Sequence, residues 1–365
     1  MKKIKNIFIS SIYQNAGKTT VALGLYKIFQ ERKLKPAFLK PVGQQTISIN
    51  DVDIDKDSYL MGDVYRCHRR WKDMSPVTIG PGYTEKYIFA PQKEILRNKI
   101  ENAYKNLIRG KNSIIIEGTG HAGVGSVIDL SNADVARMLG SKVIIISEGG
   151  IGRSIDEIML NKALFDLRQV EILGVILNKV LPEKLDKIKK AVTEGLKNKG
   201  LRLLGVIPFD TLLRDPTTEH IMSFLNLRLL CGKDYLRRRV RTTIVAAMEP
   251  YNMVNYLKDG TLVLTSGDRV DNILVAVSTH LVTKGRDQQV SGIILTGGLM
   301  PNEKIIDLLR KSRIPVLLSD EDTYSVAGKI DHLICKIQKS DKEKIIEARQ
   351  VVKQYVDVEA IINSL

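Results

Sequence analysis

Cysteine is scarce in this 365-residue chain: Cys67, Cys231 and Cys335 stand far apart, and no two fall at metal-ligand or redox-pair spacing. Their place is as small buried or half-buried residues in a reducing compartment. Also missing is any uninterrupted apolar run of membrane-spanning length, although 44% of the residues are hydrophobic. The start, Met1-Lys2-Lys3-Ile4-Lys5-Asn6, is basic but feeds a strand, with no signal-peptide core or small-residue cleavage site. The expectation is a cytoplasmic protein with no membrane partner. A chain of this length suits two or three domains, each able to bury its own core.

Acidic residues fall short of basic ones, 41 against 56, which leaves a formal charge of +15. Two clusters invite a nucleic-acid reading: Arg66, His68, Arg69 and Arg70 with Trp71 and Lys72, and Arg237, Arg238, Arg239 and Arg241. The remaining lysines are spread along amphipathic stretches such as 183–199 and read as solvated faces. Nucleic acid is therefore not the expected partner; solubility and attraction of anionic small molecules account for the charge.

The most informative stretch is Ile7-Phe8-Ile9-Ser10-Ser11-Ile12-Tyr13-Gln14-Asn15-Ala16-Gly17-Lys18-Thr19-Thr20. A β-branched apolar run breaks into a loop ending Gly-Lys-Thr, and apolar residues then resume at helical spacing. Strand, phosphate loop and helix is the reading, although Ile12 stands where the first glycine of the usual loop pattern falls. Backbone N–H groups of such a loop point at a polyphosphate, Lys18 adds a mobile positive charge, and the Thr19 hydroxyl can ligate Mg²⁺. This is a nucleotide site.

Further along, Pro36-Ala37-Phe38-Leu39-Lys40 is a short strand that leaves Lys40 at the carboxyl edge of a sheet, where ligands of open α/β sheets bind. The acidic loop Asp51, Asp53, Asp55 and Asp57 lacks the glycine and distal glutamate of a calcium loop. One of its carboxylates reaching the nucleotide's Mg²⁺ is the functional reading, and a helix cap at Asp57 or Ser58 the structural one. Ser113-Ile114-Ile115-Ile116-Glu117 is a buried parallel strand with Glu117 at its tip, facing the metal or its water. Val143–Ser147, Ile172–Lys179 and Leu203–Pro208 continue the alternation of strand and helix. Asn178 at a strand tip suits reading a purine through its amide, and Leu181, where a guanine reader would carry Asp, favours adenine.

The ordered set of Ser10-Ser11, Gly17-Lys18-Thr19, Lys40-Pro41-Val42, Glu117-Gly118-Thr119-Gly120, Asn178 and Gly205-Val206-Ile207-Pro208 resembles the dethiobiotin synthetase family. That family also lacks the first loop glycine. The resemblance implies an α/β fold with a doubly wound parallel-sheet P-loop NTPase domain, ATP with Mg²⁺, and a homodimer. It places Asn15, Ala16, Gly17, Lys18, Thr19, Thr20, Asn178 and Pro208 on the nucleotide, with Asn178 facing adenine. Thr19 and Glu117 would hold the metal with one Asp of the loop, Asp57 preferred and Asp55 left open. Lys18 and Lys40 are the catalytic candidates, Lys40 facing the substrate. Arg66 to Tyr87 matches no biotin-pathway pattern.

After a linking helix expected over 216–241, two signatures, Asp268-Arg269 and Thr296-Gly297-Gly298, each follow an apolar strand. They resemble the DRTGG domain, a smaller α/β module. Their loops should share one sheet edge, where glycines permit close approach of an anion and Arg269 could pair with it; local capping and pairing is the structural alternative. The expected order is a P-loop domain over 1–215, the link, a DRTGG domain over 242–340 and a C-terminal helix segment over 341–365, helical from Lys342 to Tyr355. That order resembles the N-terminal regulatory portion of long phosphotransacetylases, whose acyltransferase domain has no counterpart before Leu365. The expectation is a nucleotide-responsive regulatory or sensor protein without phosphotransacetylase catalysis, acting on a partner enzyme. The alternative is an ATP-dependent ligase acting on a carboxylate or amine metabolite.

Overall fold

The computed structural model describes residues 4–67, 70–282 and 290–365. Met1, Lys2 and Lys3 of the basic start, and His68 and Arg69 of the first basic cluster, lie outside the described residues. The described chain divides into two compact units, one of 1–213 with 337–365 and one of 214–336.

In the first unit six strands form one parallel sheet: β1 (Lys5–Ser11), β2 (Pro36–Leu39), β3 (Ser113–Glu117), β4 (Lys142–Glu148), β5 (Ile172–Val180) and β6 (Leu203–Pro208). Their order is β6-β5-β4-β1-β3-β2, so the first strand lies inside the sheet and the winding reverses beside it. Ile114, Ile115, Ile116, Val143, Ile144, Ile145 and Ile146 are fully buried, as β-branched strands covered on both faces must be. Helices α1 (Lys18–Glu31), α2 (Lys56–Val64) and α3 (Gly152–Leu167) are among the crossovers. The switch in winding at β1 opens a crevice at the strands' carboxyl ends, which is where the candidate residues collect.

The chain's last helices belong to this unit. The helix Lys342–Tyr355 packs on α1 because Gly24 has no side chain: a Cβ there would lie 2.4 Å from Cβ of Val352. Beyond it Val356 bridges Gly205 and the Asp357 N–H donates to the Leu204 carbonyl, before a short second helix, Val358–Asn363. The helix expected from Lys342 to Tyr355 is there, and the segment to 365 adds a short second one after the backbone has paired with β6.

The second unit holds β7 (Arg228–Cys231), β8 (Thr242–Val245), β9 (Thr261–Ser266), β10 (Val290–Thr296) and β11 (Val316–Leu318), ordered β7-β11-β10-β9-β8. Only the β7–β11 pairing is antiparallel. β7 corrects the linking helix expected over 216–241. The helix there runs only Thr218–Leu225, and Asn226, left-handed at φ 52°, ends it. The apolar run Leu229-Leu230-Cys231 reads as helix by spacing but pairs with β11 instead. No helix among the described residues is long and apolar enough to cross a membrane.

Candidate functional site

The loop between β1 and α1 is built for close backbone approach. Asn15 and Gly17 are left-handed at φ 65° and 107°, and α1 starts at Lys18 with no side-chain cap, so its first N–H groups face the loop's hollow. Lys18, only 7% exposed, donates from Nζ to Ser11 Oγ at 2.8 Å. Thr20, on the same turn, is half-buried.

Beside the loop lies a buried polar cluster. Thr19 Oγ1 is 3.0 Å from Glu117 Oε1 and 3.3 Å from Asp57 Oδ1. Lys40 Nζ lies between the same carboxylates, donating to Asp57 Oδ2 at 2.8 Å, Glu117 Oε1 at 3.0 Å and the Gly118 carbonyl at 3.3 Å. The loop's other carboxylates have other places: Asp55 caps α2 by accepting from the Asp57 N–H at 2.9 Å, and Asp53 is exposed. The cap is Asp55, not Asp57 or Ser58, and it fixes the turn that turns Asp57 inward.

Burial alone would depress the Lys40 ammonium, but Asp57 and Glu117 outweigh it and hold its pKa above the ordinary value. Burial raises the Glu117 carboxyl above the usual range, against the pull of Lys40. Its Oε2 is buried without a hydrogen-bond partner, which fits a metal ion or a metal-bound water. Among the described residues no three His, Cys, Asp or Glu side chains converge on a metal site. A hydroxyl with two carboxylates is nevertheless what a Mg²⁺ that keeps several waters and shares a phosphate requires.

Asn178 faces the loop backbone. Its Nδ2 donates to the Ala16 carbonyl at 2.8 Å and would meet a Cβ on Gly17 at 2.0 Å. Lys179, left-handed at φ 56°, donates to the Asn15 carbonyl at 2.9 Å and pairs with Glu148 at 2.6 Å. The strand tip therefore clamps the phosphate loop, through one N–H of Asn178 and the ammonium of Lys179. Pro208 ends β6 next to Val180, half-buried. An open groove of about 530 Å³ runs along the loop's Ile12 and Tyr13, lined also by His121, Arg153 and Leu160. Lys40 does not line it.

In the second unit the two signature loops do meet. β9 and β10 are level, Ser266 opposite Thr296, and a Cβ on Gly267 would lie 1.8 Å from the Leu299 carbonyl oxygen. The expected anion cradle is not there. The Gly297 N–H donates to the Glu321 carbonyl at 2.7 Å and the Gly298 N–H to the Ser319 carbonyl at 2.9 Å. Thr296 Oγ1 is bonded to Thr323 Oγ1 at 2.6 Å. Arg269 holds Asp271 through Nε at 3.0 Å and Nη2 at 2.9 Å, and Asp268 is exposed. The glycines serve a turn, left-handed at φ 76° and 67°, and the arginine pairs locally.

Some members of the basic clusters have partners within the fold, while Arg66, Lys72 and Arg237 are exposed. Trp71 packs on Tyr59 at 5.2 Å between ring centroids, and Arg70 donates to the Asn106 carbonyl. Arg238 lies over the Tyr235 ring and donates to the Val290 carbonyl, while Arg241 pairs with Asp259 at 2.7 Å.

Residues 5–217 match the AAA domain family and residues 220–333 the DRTGG domain. The phosphate acetyltransferase of Pseudomonas putida is 27% identical over 97% of this chain and 51% of its own. That of Nitratidesulfovibrio vulgaris is 26% identical over 96% and 50%. The chain spans about half the length of these curated relatives. Among solved structures, a plasmid partition protein of Borrelia burgdorferi bound to AMPPNP aligns with 57% of this chain and 87% of its own, at 17% identity and a TM-score of 0.36. The relatives overturn the expectation of a sensor without phosphotransacetylase catalysis: proteins named for that catalysis match the chain nearly end to end, and the ligase alternative falls with it. The chain belongs to the AAA domain family, and its P-loop domain is followed by a DRTGG domain.

Proposed function

We propose that this chain serves phosphate acetyltransferase function, the formation of acetyl phosphate, and that its P-loop domain binds ATP with Mg²⁺ as part of that function. The observation that carries the reading is the combination of relatives of that name along 96–97% of the chain with Gly17, Lys18 and Thr19 gathered at one loop beside Asp57 and Glu117. In this reading the α1 N-terminus and Gly17 receive the polyphosphate, Lys18 leaves Ser11 to pair with it, and Thr19, Asp57 and Glu117 hold the metal or its waters. Bound Mg²⁺ would supply neutralisation of phosphate charge. Asn178 and Lys179 keep the loop in its receiving shape. The working form is a homodimer, a reading supported by the exposed Leu160 and Leu167 on α3.

The test is acetyl phosphate formation by the native protein from inorganic phosphate and an acetyl thioester, with calorimetric titration of ATP–Mg²⁺ into wild type and Lys18→Ala. Acetyl phosphate formation, with ATP binding lost in the variant, supports the reading. No acetyl phosphate with or without ATP sinks the activity, and Lys18-independent binding sinks the site.

A further inference from the structure

Two buried carboxylates, Asp57 and Glu117, share the Thr19 hydroxyl, and the ammonium of Lys40 occupies the space between them. Lys40 is 4% exposed, Asp57 5% and Glu117 1%, so water screens none of these charges. Lys18 also acts on Glu117, and the buried Asp55 adds a third carboxylate that acts on Lys40, so Lys40 already sits amid the negative charge that a cation would seek. Glu117 Oε2 is buried and without a partner, and it marks a direction from which one more ligand is accepted.

We propose that Lys40 is a built-in counter-ion for the divalent-cation site: it excludes a free metal ion and makes metal entry conditional on the nucleotide. The proposal rests on the reading of Thr19, Asp57 and Glu117 as the metal-holding set. A divalent ion added alone would meet buried carboxylates already engaged by Lys40 and would have to expel it against two short ion pairs. A polyphosphate arriving with the metal changes that balance, because its charge receives both the metal and the displaced ammonium. Lys40 is thus a positioning residue that couples the two ligands, and the coupling is reciprocal.

The test uses Mn²⁺ alone, read by the electron paramagnetic resonance of the free ion, on wild type, Lys40→Met, Lys40→Arg and the double variant Lys40→Met with Glu117→Gln. Lys40→Met should bind Mn²⁺ at least about tenfold more tightly than wild type, since a neutralising charge has been removed at contact distance. Lys40→Arg should stay as weak as wild type, and the double variant, which loses a carboxylate together with the ammonium, should return to that weakness. Equal Mn²⁺ affinity in wild type and Lys40→Met overturns the proposal, whatever ATP does in the separate calorimetric titration. Loss of ATP binding with the Mn²⁺ pattern intact would instead remove the nucleotide reading and leave the counter-ion. Should Lys40→Met not fold, a structure of wild type with Mg²⁺ and a non-hydrolysable ATP analogue decides: Lys40 Nζ away from the Asp57–Glu117 pair supports the proposal, and Nζ still bonded to both overturns it.

Discussion

Asn178 and Gly17 are in contact across the sheet edge, so close that a single added Cβ on the glycine would sit 2.0 Å from the asparagine's amide nitrogen. Gly17→Ala therefore meets two obstacles, the contact and a φ of 107°. ATP binding should be abolished. Asn178→Ala removes only the bond to the Ala16 carbonyl, and its ATP affinity should fall about tenfold, the worth of one buried hydrogen bond. Calorimetric titration of both variants checks this order; an unchanged Gly17→Ala would mean that the loop is reshaped on binding.

Lys40→Ala strands two buried carboxylates. Breaking a buried ion pair costs about 3–5 kcal/mol, and the urea midpoint should drop accordingly with the slope unchanged. Adding Glu117→Gln to Lys40→Ala should recover a large part of the loss. A midpoint within error of wild type for Lys40→Ala would show that the cluster is not charged in the folded protein.

His280 makes stability sensitive to acid. Its Nδ1 accepts from the Val290 N–H at 3.3 Å and its Nε2 lies 3.4 Å from Nη1 of Arg238. Burial first, and then the Arg238 charge, push its pKa down from 6.5 to about 4. The unfolded chain binds the proton more readily, so this contribution is full above about pH 6.5 and is lost as pH falls towards 4. Urea melts of wild type and His280→Gln across this range should show a steeper acid decline in wild type; parallel curves would remove His280 as the cause.

Gly24→Ala tests the seat of the C-terminal helix. Its Cβ would come within 2.4 Å of Val352 Cβ, and overpacking of this kind costs about 1–3 kcal/mol. Thermal melting should fall by several degrees, and Val352→Ala on the same background should restore part of it.

Arg269→Ala should leave both folding and ATP binding unchanged, because its partner Asp271 is a near neighbour at an exposed site. Gly297→Ala, at φ 76°, should lower the melting temperature although a Cβ there would meet Leu299 only at 3.9 Å, an ordinary contact. If Arg269→Ala instead weakens binding of an anion such as inorganic phosphate, the local-pairing account of the signature fails.

What the sequence by itself determined is local. The strand, loop and helix around Gly17-Lys18-Thr19 follow from residues adjacent in the chain, and the isoleucine runs at 114–116 and 144–146 admit only strands buried on both faces. The helix Lys342–Tyr355 was legible from its spacing. The tertiary structure alone decided where polar groups spend their hydrogen bonds. The Gly297 and Gly298 N–H groups look like an anion cradle until the carbonyls of Glu321 and Ser319 arrive from the end of another strand. That Asn178 gives an N–H to the carbonyl of Ala16, 162 residues earlier, is not legible from its place at a strand tip. Lys40 reads from the sequence as a residue at a ligand-binding sheet edge, and only the fold closes Asp57 and Glu117 on it. Periodicity and turn chemistry are set by neighbours within a few residues, whereas the partner of a buried polar group is set by which strand ends the topology brings to one edge.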